Sequence, residues 1–448
     1  MSSNQFSQKS FTLFTINYIV GFGFLTTILG LIKLNIYGII VLIATAFITF
    51  GVSLVFSRLA NNFKNDYGGT YAFSKKLNNK NFSFFLGWNQ YIQGPILSST
   101  GPLFLADAAS YFTEDATTIW IIRACSVLFF ILLVLVSTLG INLNKKIIFV
   151  SGIVKWSILL FSLAVGLYLS IKQNNFEQNL TFTNNSSFDA YLIFSNILSF
   201  MYAFGGIEDV STMSKDVNFK NFKKILMVAF AFILSFYFVF YIVLLGIDTS
   251  SISNFSQIFK ISMQITGLVI FVVGLIFNGI SSKISINLST ARKLVALSED
   301  GYIFEFIKKQ NSKNEYKNAI WFNASLTIFS MLIFWLIPSI LNISSFFESV
   351  IQIGSIAFLL QYFFTFLIAI ILSFKKQIEK INIFELIVYI ISMLLILTIL
   401  IIFLFPFVVN KQWTVTNTII ITSYVSFVLI GYAIKLIFSI KNNKKLTK

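Results

Sequence analysis

Long apolar runs alternate with short polar, lysine-rich segments along almost the whole of this 448-residue chain. A helix needs about 20 residues, at about 1.5 Å each, to cross the ~30 Å hydrocarbon core of a bilayer. Twelve runs reach this length. We therefore predict twelve membrane-spanning helices, spans 1 to 12, near residues 11–32, 36–57, 82–112, 118–139, 147–171, 190–213, 224–247, 264–291, 319–341, 346–373, 383–409 and 414–438.

The positive residues in the connections predict the orientation of these spans. Lys and Arg concentrate in every second connection, whereas the alternate connections hold only Lys33, Arg123, Lys172, Lys260 and Lys411. Cytoplasmic loops carry the excess of Lys and Arg in membrane proteins, so both termini, residues 1–10 and the basic tail 439–448, are predicted to be cytoplasmic. These loops also explain the net charge of +16 without a nucleic-acid partner.

The composition excludes most enzyme chemistry. The chain is 56% hydrophobic and 11% charged, and it has no His and a single Cys, Cys125. Without His, neither a Ser-His-Asp triad, a Cys-His nucleophile nor a His-rich zinc site can be assembled. We predict an all-α polytopic membrane protein that is not an enzyme and uses no metal and no cofactor. Cys125 lies in an apolar run and is expected to be a small buried residue without a role.

Two spans carry glycines near their middle, at 20–24 in span 1 and at 203–207 in span 6. Irregular backbone at membrane depth persists only where protein or a wet cavity satisfies its polar groups. Spans 1 and 6 cross in opposite directions because they lie five spans apart. Such matched interruptions indicate an inverted-repeat transporter with a site near the midplane. The alternative is that these glycines only permit close packing of helices.

The two breaks offer groups for both ends of a zwitterion. The half-helix after Gly21 and Gly23 presents N–H groups to an α-carboxylate, which the helix dipole also favours. Carbonyl oxygens before the break in span 6 accept hydrogen bonds from an α-ammonium. The candidate substrate-binding residues are therefore Val20, Gly21, Phe22, Gly23, Ala203, Phe204, Gly205 and Gly206.

Five short segments together resemble the amino acid, polyamine and organocation transporter superfamily. They are "VGFGF" (20–24), "YGGTYAF" (67–73), "FLGW" (85–88), "AFGGIED" (203–209) and "TARKLVALSEDG" (290–301). The loop at 214–224 departs from the family because it has no proline. The resemblance covers most of spans 1 to 10. It implies a five-plus-five inverted-repeat fold of the leucine-transporter type, with repeats at 11–171 and 190–373 and peripheral spans 11 and 12 at 383–438. It also implies alternating access and an amino acid or related amine as substrate.

Two lysines, Lys155 in span 5 and Lys283 in span 8, lie about 13 Å from the inner ends of their spans. A lysine near the bilayer centre raises the free energy of membrane insertion by about 2.5–3.5 kcal/mol. We therefore expect each of these lysines to have a structural or functional role. In the resemblance, Lys155 matches a lysine that replaces sodium in proton-coupled members, against spans 1 and 8. Burial disfavours a charged amine, so Lys155 is a candidate for proton coupling. The alternative is a structural amine bonded to carbonyls of a helix break.

Lys283 has no counterpart that we can match in the family, and two ammonium groups at similar depth would repel. Either one is neutral, or Lys283 pairs with Glu208 or Asp209, the carboxylates nearest in predicted depth. Glu208 matches the family's acidic residue after the break in span 6. It either caps the second half-helix or gates and senses protons. Asp209 is expected to be mainly structural.

Selectivity for the substrate side chain is expected from spans 3, 6, 8 and 10. The resemblance makes Phe204 an aromatic neighbour of the substrate. Three residues with side-chain amides, Asn89, Gln90 and Gln93, lie in span 3 and are candidates for substrate selectivity. The sequence does not assign the face of the helix on which each one lies.

The favoured function is a secondary active transporter that moves amino acids across the plasma membrane by alternating access, with proton-coupled uptake. One alternative is an amino acid/amine exchanger in which Lys155 is structural. Another is a transporter-like nutrient sensor that binds without turnover. The expected partners are an amino acid or related amine, the proton as coupling ion and the lipid bilayer, with the protein a monomer or a homodimer. The sequence does not identify the amino acid, the coupling ion (sodium or proton) or the direction of net transport.

Overall fold

The computed structural model describes residues 6–64, 69–110, 112–113, 115–180, 189–248, 252, 254–336 and 346–446, which are mostly helical. The helices are α1 Gln8–Ile19, α2 Gly23–Ile32, α3 Tyr37–Asn62, α4 Thr70–Lys75, α5 Lys80–Ser98, α6 Thr100–Ser110, α7 Ala116–Ser137, α8 Ile141–Gln173, α9 Phe176–Leu180, α10 Ala190–Phe204, α11 Ile207–Ser211, α12 Phe222–Leu245, α13 Phe255–Glu299, α14 Lys317–Met331, α15 Phe346–Phe374, α16 Ile383–Leu404 and α17 Val415–Leu446.

Short elements join these helices. Strand β1, Phe6–Ser7, pairs in parallel with β2, Val217–Asn218, so the amino-terminal segment is tied to the connection after α11. Three short 3-10 helices and a π-helical turn complete the described elements: Ser214–Asp216, Glu305–Lys308, Pro406–Val409 and, after α14, Leu332–Leu336.

Most of the long helices coincide with predicted spans, and the chain is a polytopic helical membrane protein. Within the described ranges, nine helices are long and apolar enough to cross a membrane, or ten if the bent pair α1 and α2 is one span. The helices of spans 3 and 9 do not meet this criterion, and span 3 carries the amides of Asn89, Gln90 and Gln93. Twelve spans therefore remain a prediction. Residues 337–345, at the end of span 9 and the following connection, lie outside the described residues, as do 1–5 and 447–448 of the predicted cytoplasmic ends.

Polar side chains define where many helices begin. The free N–H groups of a helix's first turn need acceptors, and a side-chain oxygen just before the helix supplies one. Such caps start α1, α5, α7, α10, α12 and α16, at Ser7, Asn79, Asp115, Asp189, Asn221 and Asn382.

Helix α10 lies inside the bundle, where it packs against α2, α3, α15 and α16. Helices α7 and α17 keep most of their apolar surface exposed. Exposed apolar side chains of a membrane protein face lipid, so α7 and α17 form the periphery. The expectation that Cys125 is buried is wrong, because this α7 residue is exposed on that peripheral surface.

The chain bends where the sequence prevents regular helix. Helices α1 and α2 meet at 57°. Helix α10 ends at Phe204, and Gly206 adopts φ 114°, a left-handed conformation that favours glycine. Between α5 and α6 the interruption at Ser99 precedes Pro102, whose ring nitrogen cannot donate to the carbonyl of Ser98.

Helix α13 continues beyond predicted span 8 at both ends. It runs from Phe255 to Glu299 and carries a kink at Gln264. The predicted end of span 8 at residue 291 is therefore too early, because Arg292 and Lys293 are helical and 5% and 2% exposed. The apolar pattern missed this extension because these polar side chains are buried against protein rather than lipid.

Two of the family-like segments meet at one end of the bundle. Tyr71, on α4, donates a hydrogen bond from its hydroxyl to the carboxylate of Asp300, which follows α13. Lys75 Nζ donates to the same carboxylate at 2.7 Å. Tyr67 and Gly68, which begin the segment "YGGTYAF", lie outside the described residues. These contacts give the two segments a shared structural role.

Replacing Arg58 with alanine is expected to lower the free energy of unfolding by about 1.5–3 kcal/mol, the usual worth of hydrogen bonds to a charged group. Arg58 Nε and Nη2, on α3, donate to Glu385 Oε2 of α16 at 2.8 and 2.5 Å. Thermal unfolding in detergent measures the loss. Lys223→Ala is the matched control, because Lys223 contacts Oε1 of the same carboxylate at 3.1 Å but its side chain is 47% exposed. Its cost should stay below about 1 kcal/mol. Equal losses in both variants would contradict this ranking.

Candidate substrate cavity

The breaks in spans 1 and 6 face each other. Tyr18, near the end of α1, donates from its hydroxyl to Asp209 Oδ2 of α11 at 2.7 Å. A Cβ placed on Gly206 would lie 2.7 Å from the ring of Tyr18, so this approach, like the left-handed backbone, requires glycine. The irregular backbone of both breaks is thus buried between helices.

A cavity of about 130 Å³ lies between the two breaks. Residues from α1, α2, α5, α6, α10, α11, α13 and α15 line it, which places spans 1, 3, 6, 8 and 10 around one space. Its polar and aromatic wall includes Gln93, Thr100, Tyr202, Asn278, Lys283 and Phe358. The cavity therefore offers both backbone groups and side chains to a small polar solute.

Five of the eight predicted substrate-binding residues line this cavity: Gly21, Gly23, Ala203, Gly205 and Gly206. The other three, Val20, Phe22 and Phe204, do not line the cavity. The Val20 carbonyl accepts a hydrogen bond from a lysine, and the Phe22 N–H donates to Asn278 Oδ1 at 3.3 Å. The expected contact of the Phe204 ring with substrate is not supported, because that ring packs against Tyr237 at 5.1 Å between centroids, outside the lining.

Lys155 is fully buried behind the break in span 1. Its Nζ donates to the carbonyls of Asn17 and Val20 at 2.6 and 2.7 Å. These carbonyls belong to the last turn of α1, where the helix stops and its own N–H donors end. Asn17 Nδ2 in turn donates to Ser281 Oγ of α13 at 2.8 Å, so the lysine is linked to spans 1 and 8.

Glu208 and Asp209 have separate partners. Glu208 Oε1 accepts from the N–H of Gly206 at 2.9 Å, and its Oε2 accepts from the Tyr362 hydroxyl of α15 at 2.6 Å. The first contact caps the start of α11. Capping is the simpler of the two roles expected for Glu208, and the other is gating or proton sensing. Asp209 forms an ion pair with Lys293 of α13.

The alternative in which Lys283 pairs with Glu208 or Asp209 is wrong. Lys283 Nζ instead donates to the carbonyl of Ser98 at 2.5 Å, at the interruption between α5 and α6. The sequence suggested similar depth for these groups. It carried no information on the direction in which α13 turns each side chain.

The chain matches the family model described as amino acid permease over residues 6–431. It belongs to the amino acid permease family. The all-helical architecture with many membrane-length helices agrees with this family.

Relatives of this permease share its full length. It is 33% identical to the uncharacterized protein MG225 of Mycoplasma genitalium, over 99% of this chain and 97% of the relative. It is 32% identical to the uncharacterized protein MG226 of the same organism, over 95% and 94%, and 29% identical to the MG226 homolog of Mycoplasma pneumoniae, over 99% and 96%. Membership of this family points to a transporter of amino acids or amines rather than to an enzyme.

The permease has a second cavity of about 390 Å³ beside the first. Its lining includes Lys33, Asn196 and Glu348, which lie toward the predicted outer side. Phe104 of α6 lines both cavities and so stands between them. We refer to this second cavity as the vestibule.

Several residues of the permease cavity were not predicted. Tyr18, Asn278 and Phe358 carry no sequence signal that separates them from other residues of their helices. Tyr202 directly precedes the segment "AFGGIED" but was not singled out. Lys293, which pairs with the cavity residue Asp209, stood in the segment "TARKLVALSEDG" but was not singled out.

Proposed function

We propose that this permease is a proton-coupled amino acid importer of the cell membrane that works by alternating access. The observation that carries the proposal is the contact of Lys155 Nζ with the carbonyls of Asn17 and Val20 at the break between α1 and α2. This contact links an ionisable amine to the backbone of the break beside the cavity. The twelve-span arrangement with inverted repeats at 11–171 and 190–373, and cytoplasmic termini, is part of the same proposal.

The substrate binds as a zwitterion between the breaks. Its α-carboxylate lies at the amino end of α2, near Gly23, where N–H groups and the helix dipole favour an anion. Its α-ammonium lies at the carboxyl end of α10, where carbonyl oxygens are exposed by the break. The Ala203 carbonyl already accepts from the Tyr237 hydroxyl at 2.6 Å, which holds this end of α10 in place.

Alternating access requires that one side of the cavity is closed while the other opens. Three contacts close the side toward the predicted cytoplasm. Tyr18 and Lys293 both contact Asp209, and Lys293 Nζ also donates to the Gln90 carbonyl at 3.1 Å. They join α1, α5, α11 and α13 beneath the cavity, whereas the vestibule lies on the opposite side. Import follows when this cluster separates and Phe104 closes the vestibule.

Lys155 couples the cycle to the proton gradient by gaining and losing one proton. As an ammonium it donates to both carbonyls and holds the break in its present form. A neutral amine binds them more weakly, which lets α1 move. In the second candidate, an exchanger, Lys155 stays charged as a structural amine. The two carbonyl contacts are also what a structural amine would make.

Uptake of a labelled amino acid panel into liposomes, with and without an imposed pH gradient, tests the proposal. We expect accumulation that depends on the gradient. Uptake that ignores the gradient but requires amino acid on the opposite side identifies the exchanger. Binding without uptake or exchange, by folded protein, identifies a sensor and overturns the transport proposal.

A further inference from the structure

A second buried amine lines the cavity itself. Lys283 is 5% exposed, belongs to the wall of the cavity and donates from Nζ to the Ser98 carbonyl at 2.5 Å. Lys155 differs, since it is 0% exposed, lies outside the lining and has two carbonyl partners. An ammonium group has three N–H donors. Lys283 uses one of them for the Ser98 carbonyl, and the others can donate to a group in the cavity.

The sequence around Ser98 explains why the amine reaches this wall. A regular helix would satisfy the Ser98 carbonyl with the N–H of residue 102, but Pro102 has none. Lys283 supplies the missing donor. Gly101 leaves room for the lysine stem, because a Cβ at this position would lie 2.6 Å from Lys283 Cε and 3.0 Å from Nζ.

The carboxylates nearest the cavity do not balance this charge. Asp209 pairs with Lys293, and Glu208 accepts from Gly206 and Tyr362. Among the side chains that the structure describes, Lys283 has no ion-pair partner. A buried charge without a partner is costly, so a cavity with an ammonium in its wall favours a ligand that carries the opposite charge there.

We propose that Lys283 binds the side-chain carboxylate of an acidic amino acid. The inference rests on the proposed function, in which the α-carboxylate and α-ammonium are held by the breaks of spans 1 and 6. The α-carboxylate and the α-ammonium carry opposite charges that cancel. The side-chain carboxylate of aspartate or glutamate is the remaining charge, and Lys283 can pair with it. Gln93 and Thr100 lie on the same span 3 side of the cavity and present polar groups to the side chain.

Ligand-induced thermal stabilisation of the purified full-length protein, with aspartate, glutamate, asparagine and glutamine, tests the inference. We expect an acidic amino acid to bind about 10- to 100-fold more tightly than its amide, the difference expected of a hydrogen bond between two charged groups. Lys283→Gln should remove this preference, because glutamine donates a hydrogen bond but carries no charge. Lys411→Gln is the control and should leave the acid-to-amide ratio unchanged, because the Lys411 side chain is 47% exposed, pairs with Asp189 and does not line the cavity.

A double variant separates recognition from structural support. Lys283→Met deprives the Ser98 carbonyl of its donor, and adding Pro102→Ala returns a backbone N–H to it. The double variant should recover thermal stability and still lack the preference for acids. If Lys283 is only structural, the preference will persist in the double variant and in Lys283→Gln, which overturns the inference.

The wild-type panel also separates this inference from the proposed function. Tighter binding of neutral or basic amino acids than of acids overturns the role of Lys283 and leaves the transport proposal intact. Absence of binding and uptake for every amino acid, with folded protein, overturns both. If the single variants do not fold, the acid-to-amide ratio of the wild-type protein and the preference of the double variant test the inference.

Discussion

Lys155→Met is expected to abolish uptake driven by a pH gradient. Methionine fills a similar volume but has no N–H donor, so the carbonyls of Asn17 and Val20 lose their contacts. Each buried carbonyl left without a donor costs about 1–3 kcal/mol, and the variant has no group that can exchange a proton at this position. Liposome uptake with an inward-acid gradient measures the loss.

Counterflow is the control for this prediction, because it exchanges labelled for unlabelled amino acid without net proton movement. A coupling role predicts that Lys155→Met retains counterflow while it loses accumulation. A purely structural role predicts that both fall together with thermal stability. Gradient-driven accumulation in the variant at the wild-type level would refute proton coupling through Lys155.

Lys293→Met is expected to lower the free energy of unfolding by about 3–5 kcal/mol, because it leaves the Asp209 carboxylate without its cation. Lys293 and Asp209 are 2% and 7% exposed, so bulk water screens this pair poorly. The hydrogen bond from Tyr18 remains but carries no balancing charge. Thermal unfolding in detergent measures the change.

The double variant Lys293→Met with Asp209→Asn tests the cause. Removing both charges should recover much of the stability, because a buried ion pair gains little over a neutral pair. Transport should stay impaired, since the contact that closes this side of the cavity is lost. Additive losses in a double-mutant cycle would show that the two residues do not stabilise each other.

The positions of the helices and of both breaks followed from the sequence. Span 2, predicted at 36–57, is the helix Tyr37–Asn62, and the breaks at 20–24 and 203–207 separate α1 from α2 and α10 from α11. Apolar length and glycine content are local properties, so the order of residues was sufficient to find them.

The side-chain partners could not be predicted in the same way. Helix α13 turns Lys283 toward Ser98 and Lys293 toward Asp209, and the two lysines reach different helices. Hydropathy averages over a whole turn and does not separate the faces of a helix that is surrounded by protein. The prediction for Phe204 rested on its position in the family-like segment, which does not give the direction of the ring, and the ring packs against Tyr237.

The sequence by itself determined the membrane environment, the helical class, the family and the two glycine breaks, because each depends on composition or on neighbouring residues. Only the tertiary structure decided which groups meet: Lys155 with the end of α1, Asp209 with Lys293, and Lys283 with the Ser98 carbonyl at the cavity wall. These contacts join residues far apart in the chain. They depend on how each helix is rotated in the packed bundle, which no single segment encodes.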